Sequence, residues 1–194
     1  TTEIYTLSLH DALPICDMSI CVCQLQALRA AANVGVIVPE TVIEAAKDYV
    51  RRSYITRGGG FQYQIDWDGR STFALTAAGI VALQSMGEYD THTYDAQGTN
   101  GPVRMTLDLN RSVSYLQSER PDKTSRGLSP GSSVCNYGFW YGHYYAAQAM
   151  HQYQFVSPRA WHEWHTRNRE NFMKLQHPIG AWTAEIGFWG PETN

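Results

Sequence analysis

Asp66 and Asp68 stand one residue apart in "DWDGRSTFALTA", directly ahead of an apolar run. A carboxyl there can hand over a proton only if a dry setting raises its pKa. The ordinary role open to both is to turn the chain and cap a helix beginning near Ser71. The second chemical candidate is "CNYGFWYGHYY", where Tyr137, Trp140 or Tyr141, Tyr144 and Gln148 recur at helical spacing with His143 among them. Facing an interior, that stripe offers π faces to an apolar ligand or a carbocation. Facing a core, it is aromatic packing whose hydroxyls find partners. Cys135 and His143 are both metal-ligating types, but two ligands do not make a site. His162 and His165 in "WHEWH" lack the H-E-x-x-H spacing and read as solvated histidines beside packed tryptophans. No metal and no cofactor is expected.

Helices must position these residues. "DMSICVCQLQALRAAANVG" predicts a helix capped by Asp17 or Ser19 and closed by Gly35, with Ile20, Cys23, Ala27, Ala30 and Ala31 or Val34 as its apolar stripe. "VPETVIEAAKDYVRRSY" predicts a second, starting at Pro39, with Val42, Ile43, Ala46, Tyr49 and Val50 buried. Three glycines in "RGGGFQYQIDWDG" then break the pattern. "RSTFALTAAGIVALQSMG" is apolar nearly all round, as a helix packed on both sides should be. "PVRMTLDLNRSVSYLQSERP" reads as amphipathic, with Leu109, Val113 and Leu116 on one side. "PDKTSRGLSPG" is a loop by composition. "SSVCNYGFWYGHYYAAQAMHQY" repeats the nonpolar helix, and "SPRAWHEWHTRNRENFMKLQ" the amphipathic one. The chain thus reads as three helix pairs, and Leu28, Leu83 and Met150 align at intervals of 55 and 67 residues. Repeats of this size predict an array of helical hairpins, nonpolar helices inside and amphipathic ones outside.

Residues 1–15, "TTEIYTLSLHDALPI", carry none of this logic. Translated back through the genetic code they match, in frame, a widely used short-read sequencing adapter, so they are set aside as an artefact, with Cys16 at the junction. Residues 16–194 are then one domain, expected to be truncated at both ends, and the compartment stays open. A hydrophobic share of 43% with 17% charged residues is that of a globular chain. The net charge of −3 leaves no basic footprint for nucleic acid, and no apolar run is long enough to be a transmembrane segment. Apolar small molecules are the better-matched partners. Twelve tyrosines and six tryptophans against six phenylalanines make the aromatic surface unusually polar. The four cysteines fit neither a zinc tetrad nor a disulfide framework and read as small buried hydrophobes.

"STFALTAAGIVAL", "YGHYYAAQAM" and "LQHPIGAWT" together resemble the prenyltransferase and squalene-oxidase (squalene cyclase) repeat proteins, above all a large bacterial group. Gln176, Gly180 and Trp182 match the family's Q-x-x-x-G-x-W form, and "TRGGGFQY" is a degenerate copy with Phe61 in place of Trp. The resemblance spans nearly all of the chain from Asp17 to Trp189. It implies an all-α fold, an α/α toroid of which this chain supplies three of six hairpins, the other half being its missing partner. Squalene cyclases protonate an alkene from a D-x-D-D motif before an inner helix. Asp66 and Asp68 match its first and third positions, but Gly69 replaces the fourth. Protein prenyltransferases hold zinc with Asp, Cys and His, and here Ser133 stands where the aspartate would be. The resemblance therefore implies a toroid binding an apolar or isoprenoid-like ligand inside the ring, with terpenoid-cyclase or prenyltransferase-like chemistry unproven. The alternative is a non-catalytic toroid for peptide or protein partners. A carbohydrate-active toroid would need paired carboxylates across the cavity, and only Asp17, Asp66 and Asp68 are available.

Overall fold

The computed structural model describes residues 17–65, 71–98, 101–118, 139–176 and 178–180. Residues 1–15, Asp66, Asp68, Gly69, Ser133, Cys135, Tyr137 and Trp182 lie outside them. The described residues are mostly helical: α1 (Met18–Asn33), α2 (Glu40–Arg52), α3 (Phe73–Ser85), α4 (Leu109–Ser118), α5 (Phe139–Tyr153) and α6 (Pro158–Leu175). Two antiparallel hairpins interrupt them, β1 (Tyr54–Ile55) with β2 (Gly60–Phe61), and β3 (His92–Gly98) with β4 (Gly101–Leu107).

The helices start where their side chains can cap them. Asp17 accepts from the Ile20 amide, Thr72 from Leu75 and Ser157 from Ala160, each satisfying an amide that the first turn leaves unpaired. Pro158 follows Ser157, its fixed φ suited to the first helical position. α3 is the spine. Every residue from Ala74 to Gln84 is buried, because α1 and α5 flank it and α2 and α4 also pack on it. α6 packs on α5 and α2 on α1, so each inner helix carries an amphipathic partner.

Two glycines set how closely this layer packs. A Cβ on Gly79 would stand 2.4 Å from Cγ of Phe61, whose fully buried ring fills that hollow and meets Tyr54 edge-on at 5.4 Å. A Cβ on Gly142 would stand 3.1 Å from the Ala74 Cα, so this glycine lets α5 lie directly against α3. Phe61 thus serves as an aromatic anchor for this layer. After α6, Gln176 Nε2 donates to the Gly180 carbonyl at 2.7 Å.

Three sequence expectations are corrected. The buried stripe of α1 is Met18, Cys21, Val22 and Leu25, on the face opposite Ile20, Cys23, Ala27 and Ala30, which are exposed. α1 is apolar on both sides, so periodicity alone could not say which side meets α3. Cys23 is accordingly not a buried hydrophobe, although Cys21 is. Finally, residues 101–107 form β4 rather than the first turns of α4. Thr93, Tyr94, Val103 and Thr106 favour a pleated ribbon, and Asp108 Oδ1 accepts from the Arg111 amide, delaying the helix to Leu109. The hairpin is tied down by Tyr94, whose hydroxyl donates to the Arg51 carbonyl at 2.7 Å while the Arg51 guanidinium, paired with Glu88, lies over its ring.

Candidate binding face of the inner helices

α1 and α5 reach each other past α3, which carries small side chains at Ala74, Ala77, Ala78 and Ala82. Cys23 Sγ lies 3.3 Å from the Tyr145 hydroxyl, and Gln26 Nε2 donates to Gln148 Oε1 at 2.7 Å. Both contacts join residues 122 apart, which is also the separation of Leu28 from Met150 in the repeat alignment. Gln84 Nε2 donates to the Ala149 carbonyl at 3.1 Å and Arg29 reaches the Ser85 carbonyl, so the three inner helices run parallel and level. They share an N-terminal end and a C-terminal end, and the two differ in chemistry.

The N-terminal end is phenolic. Asp17, 5% exposed, accepts at Oδ1 from the Ile20 amide and the Ser19 hydroxyl, and at Oδ2 from the Tyr63 hydroxyl at 2.6 Å. Three donors occupy this carboxylate, which caps α1. Tyr141 and Tyr145 meet edge to face at 4.7 Å, and Tyr144 meets Tyr145 at 5.0 Å while remaining 61% exposed. Burial pushes the Tyr141 and Tyr145 phenols well above the usual range, aided at Tyr145 by its bond to Cys23. Among the described residues the Tyr141 hydroxyl has no partner.

This placement divides the sequence stripe. Tyr141, Tyr144 and Gln148 share the face turned toward α1. Trp140 and His143 do not, being rotated by roughly 100° per residue away from it. Trp140 stacks on Phe172 of α6 at 6.0 Å, and buried His143 sits between Phe73 at 4.8 Å and Phe172 at 5.2 Å. Both are core contacts between the layers. His162 and His165 are exposed on α6 beside partly buried Trp161 and buried Trp164, as expected. Among the described residues no cluster of three or more His, Cys, Asp or Glu could hold a metal ion, and no helix is long and apolar enough to cross a membrane.

At the C-terminal end a cavity of about 620 Å³ opens between the last turns of α1, α3 and α5 and the start of α6. Gln26, Arg29 and Asn33 line it from α1, Val81, Gln84 and Ser85 from α3, Ala147, Gln148, His151 and Gln152 from α5, and Trp161 from α6. Of these, only Gln148 was singled out in the sequence. A usable signal was present: the alignment that sets Leu28, Leu83 and Met150 level also sets Arg29 with Gln84 and His151, and Gln26 with Val81 and Gln148. Polar residues recurring one position past Leu28, Leu83 and Met150 mark the lining.

No family model matches this chain, and no curated protein or solved structure is significantly similar to it.

Proposed function

We propose that this chain is part of an α/α toroid of the squalene cyclase-like repeat type, and that the phenolic end of its inner helices binds an apolar, isoprenoid-like ligand. The toroid reading is supported by the parallel inner layer, by an outer partner for each inner helix, and by the match between the 122-residue contacts and the repeat alignment. The exposed apolar residues Ile20, Ala27 and Ala30 of α1 are what a helix awaiting a neighbouring hairpin would carry.

One observation carries the ligand: Tyr144 stands exposed beside Tyr145, which meets Tyr141 edge to face, so this end presents an aromatic face. Binding, not catalysis, is the proposal. Among the described residues the acid capping this end, Asp17, is held by three donors as a cap. Titration calorimetry with farnesol and with squalene in detergent micelles tests it. Saturable binding that Tyr144→Ala weakens about tenfold, a loss of about 1.4 kcal/mol, supports the reading. Binding by neither ligand, or binding indifferent to Tyr144, refutes it.

A non-catalytic toroid for peptide or protein partners is the second reading. It is favoured by exposed Val34, Val36 and Ile37 after α1 and Phe155 and Val156 after α5, apolar turns that leave the same end of the inner layer. Loss of partner capture from Ile37→Asp and Phe155→Asp, with isoprenoid binding absent, would select it.

A further inference from the structure

The cavity at the opposite end of the inner helices has a lining that neither proposed ligand uses. Five carboxamides face it, from Gln26, Asn33, Gln84, Gln148 and Gln152, together with Ser85, Tyr89, Arg29, His151 and the indole of Trp161. No carboxylate is among the described lining residues.

A carboxamide carries an acceptor oxygen and a donor nitrogen side by side. Gln26 and Gln84 spend Nε2 within the fold, and Gln148 accepts from Gln26 while donating to the Tyr144 carbonyl, so Asn33 and Gln152 offer the full pair. That pairing complements neighbouring hydroxyls, where one oxygen donates to the carbonyl and the next accepts from the NH₂. A cationic ligand would want a carboxylate here, and a polyanion would want more than one arginine. An apolar ligand would strand the amides without water, at about 1–3 kcal/mol for each unpaired group. The lining therefore selects a neutral molecule dense in hydroxyls.

Two further features sharpen the choice. Trp161 joins the lining from α6, braced by the His151 ring at 5.5 Å and the His165 ring at 4.8 Å, so its indole is held in place at the wall. A fixed indole beside hydrogen-bonding amides suits a ligand with an apolar face and polar edges, as a pyranose ring has. Gln84 lies 7% exposed, its Nε2 already committed to the Ala149 carbonyl and its Oε1 without a donor. A hydroxyl arriving beside it supplies the missing donor.

The size agrees. Gln26 to Asn33 spans seven residues of helix, or about 10 Å at the helical rise. An extended peptide would lay only about three residues along that length, whereas the volume of about 620 Å³ lies within the usual range for a small-molecule site.

We infer that the amide-lined cavity between the C-terminal turns of α1, α3 and α5 binds a neutral carbohydrate, with Trp161 as its stacking surface and Gln84 and Gln152 as its hydroxyl readers. The site is separate from the phenolic end and stands whether or not that end binds an isoprenoid. It binds without hydrolysing, since no carboxylate pair lines it.

The test screens the whole chain against an array of neutral and acidic oligosaccharides, then titrates the strongest neutral binder by calorimetry. The expected result is saturable binding of a neutral oligosaccharide, weakened at least tenfold by Trp161→Ala and by Gln84→Leu, and partly restored when Trp161 is replaced by Phe instead. Gln152→Leu, at an exposed position that burdens the fold least, should weaken it severalfold at an unchanged thermal midpoint. Tyr144→Ala should leave it unaltered, which separates this site from the isoprenoid reading. No neutral binder on the array, preference for acidic glycans, or binding indifferent to Trp161 and Gln152 would overturn the inference.

Discussion

The two ends of the inner layer are built from the same three helices and differ in side-chain chemistry. At the N-terminal end the side chains that cross α3 are Cys23 and Tyr145, backed by Tyr141 and Tyr63, and they close over the spine. At the C-terminal end Gln26 and Gln148 make the last such crossing, and beyond it the helices leave about 620 Å³ open among amides. The lesson is that helix register fixes where residues lie relative to one another but not their chemistry. Level positions on successive helices become a phenolic wall at one end and a hydrogen-bonding cavity at the other.

The largest expected effect removes the support beneath both ends. Phe61 fills the hollow at Gly79, so Phe61→Ala should cost about 3–5 kcal/mol in urea unfolding, as large aromatic truncations in cores do. A loss below 1 kcal/mol would mean the spine does not rest on it. Next comes Gly142→Val, which forces α5 off Ala74 beside the phenolic end. Overpacking of this kind costs about 1–3 kcal/mol. It should raise the thiol reactivity of Cys23 by separating it from Tyr145. Equal reactivity before and after would break the link between that glycine and the closed end.

Much of this arrangement was legible in the sequence, for a physical reason in each case. α3 is apolar all round because neighbours cover it all round, so its central place could be read directly. α2 and α4 bury one side only, and Val50, Leu109, Val113 and Leu116 fall where the helical period puts them. α1 defeats the same method because it carries apolar side chains on its packed and unpacked faces alike. The run "FWYGHYY" defeats it differently. With an aromatic at nearly every angle, spacing groups Trp140 and His143 with Tyr144, and only the position of α6 separates them. The β3–β4 hairpin went unread because its strand residues run straight into an amphipathic helix. Asp66, Asp68 and Tyr137 lie outside the described residues, so the acid motif keeps its standing as a sequence expectation alone.

A smaller effect comes from alkaline titration. Burial pushes the Tyr94 phenol up to about 12, against 10.0 for an unburied one. Between those values the folded chain holds a proton that the unfolded chain has released, so the native state binds more protons. Stability is then full below pH 10 and falls as pH rises through that window. The raised Tyr141 and Tyr145 phenols act in the same direction. Tyr94→Phe should flatten the profile of unfolding free energy above pH 10, and an unchanged slope would show that Tyr94 is not the group responsible.

The smallest effect sharpens the contrast at the phenolic end. The Tyr141 hydroxyl is buried without a partner, so Tyr141→Phe removes an unpaired group and should change stability by less than about 1 kcal/mol, with a gain as allowed as a loss. A larger loss would reveal a hydrogen bond there and make that end more polar than argued.

Both ends depend on one claim, that α1 and α5 lie parallel and level with residues 122 apart meeting across α3. Cysteine pairs introduced into a chain stripped of its native cysteines test it directly, using bifunctional thiol reagents of graded length. The Gln26→Cys, Gln148→Cys pair should be bridged by the shortest reagent in high yield, while Gln26→Cys with Gln152→Cys, one helical turn further on, should require a longer one. Equal bridging of the two pairs, or preference for the second, would contradict the register on which the whole account stands.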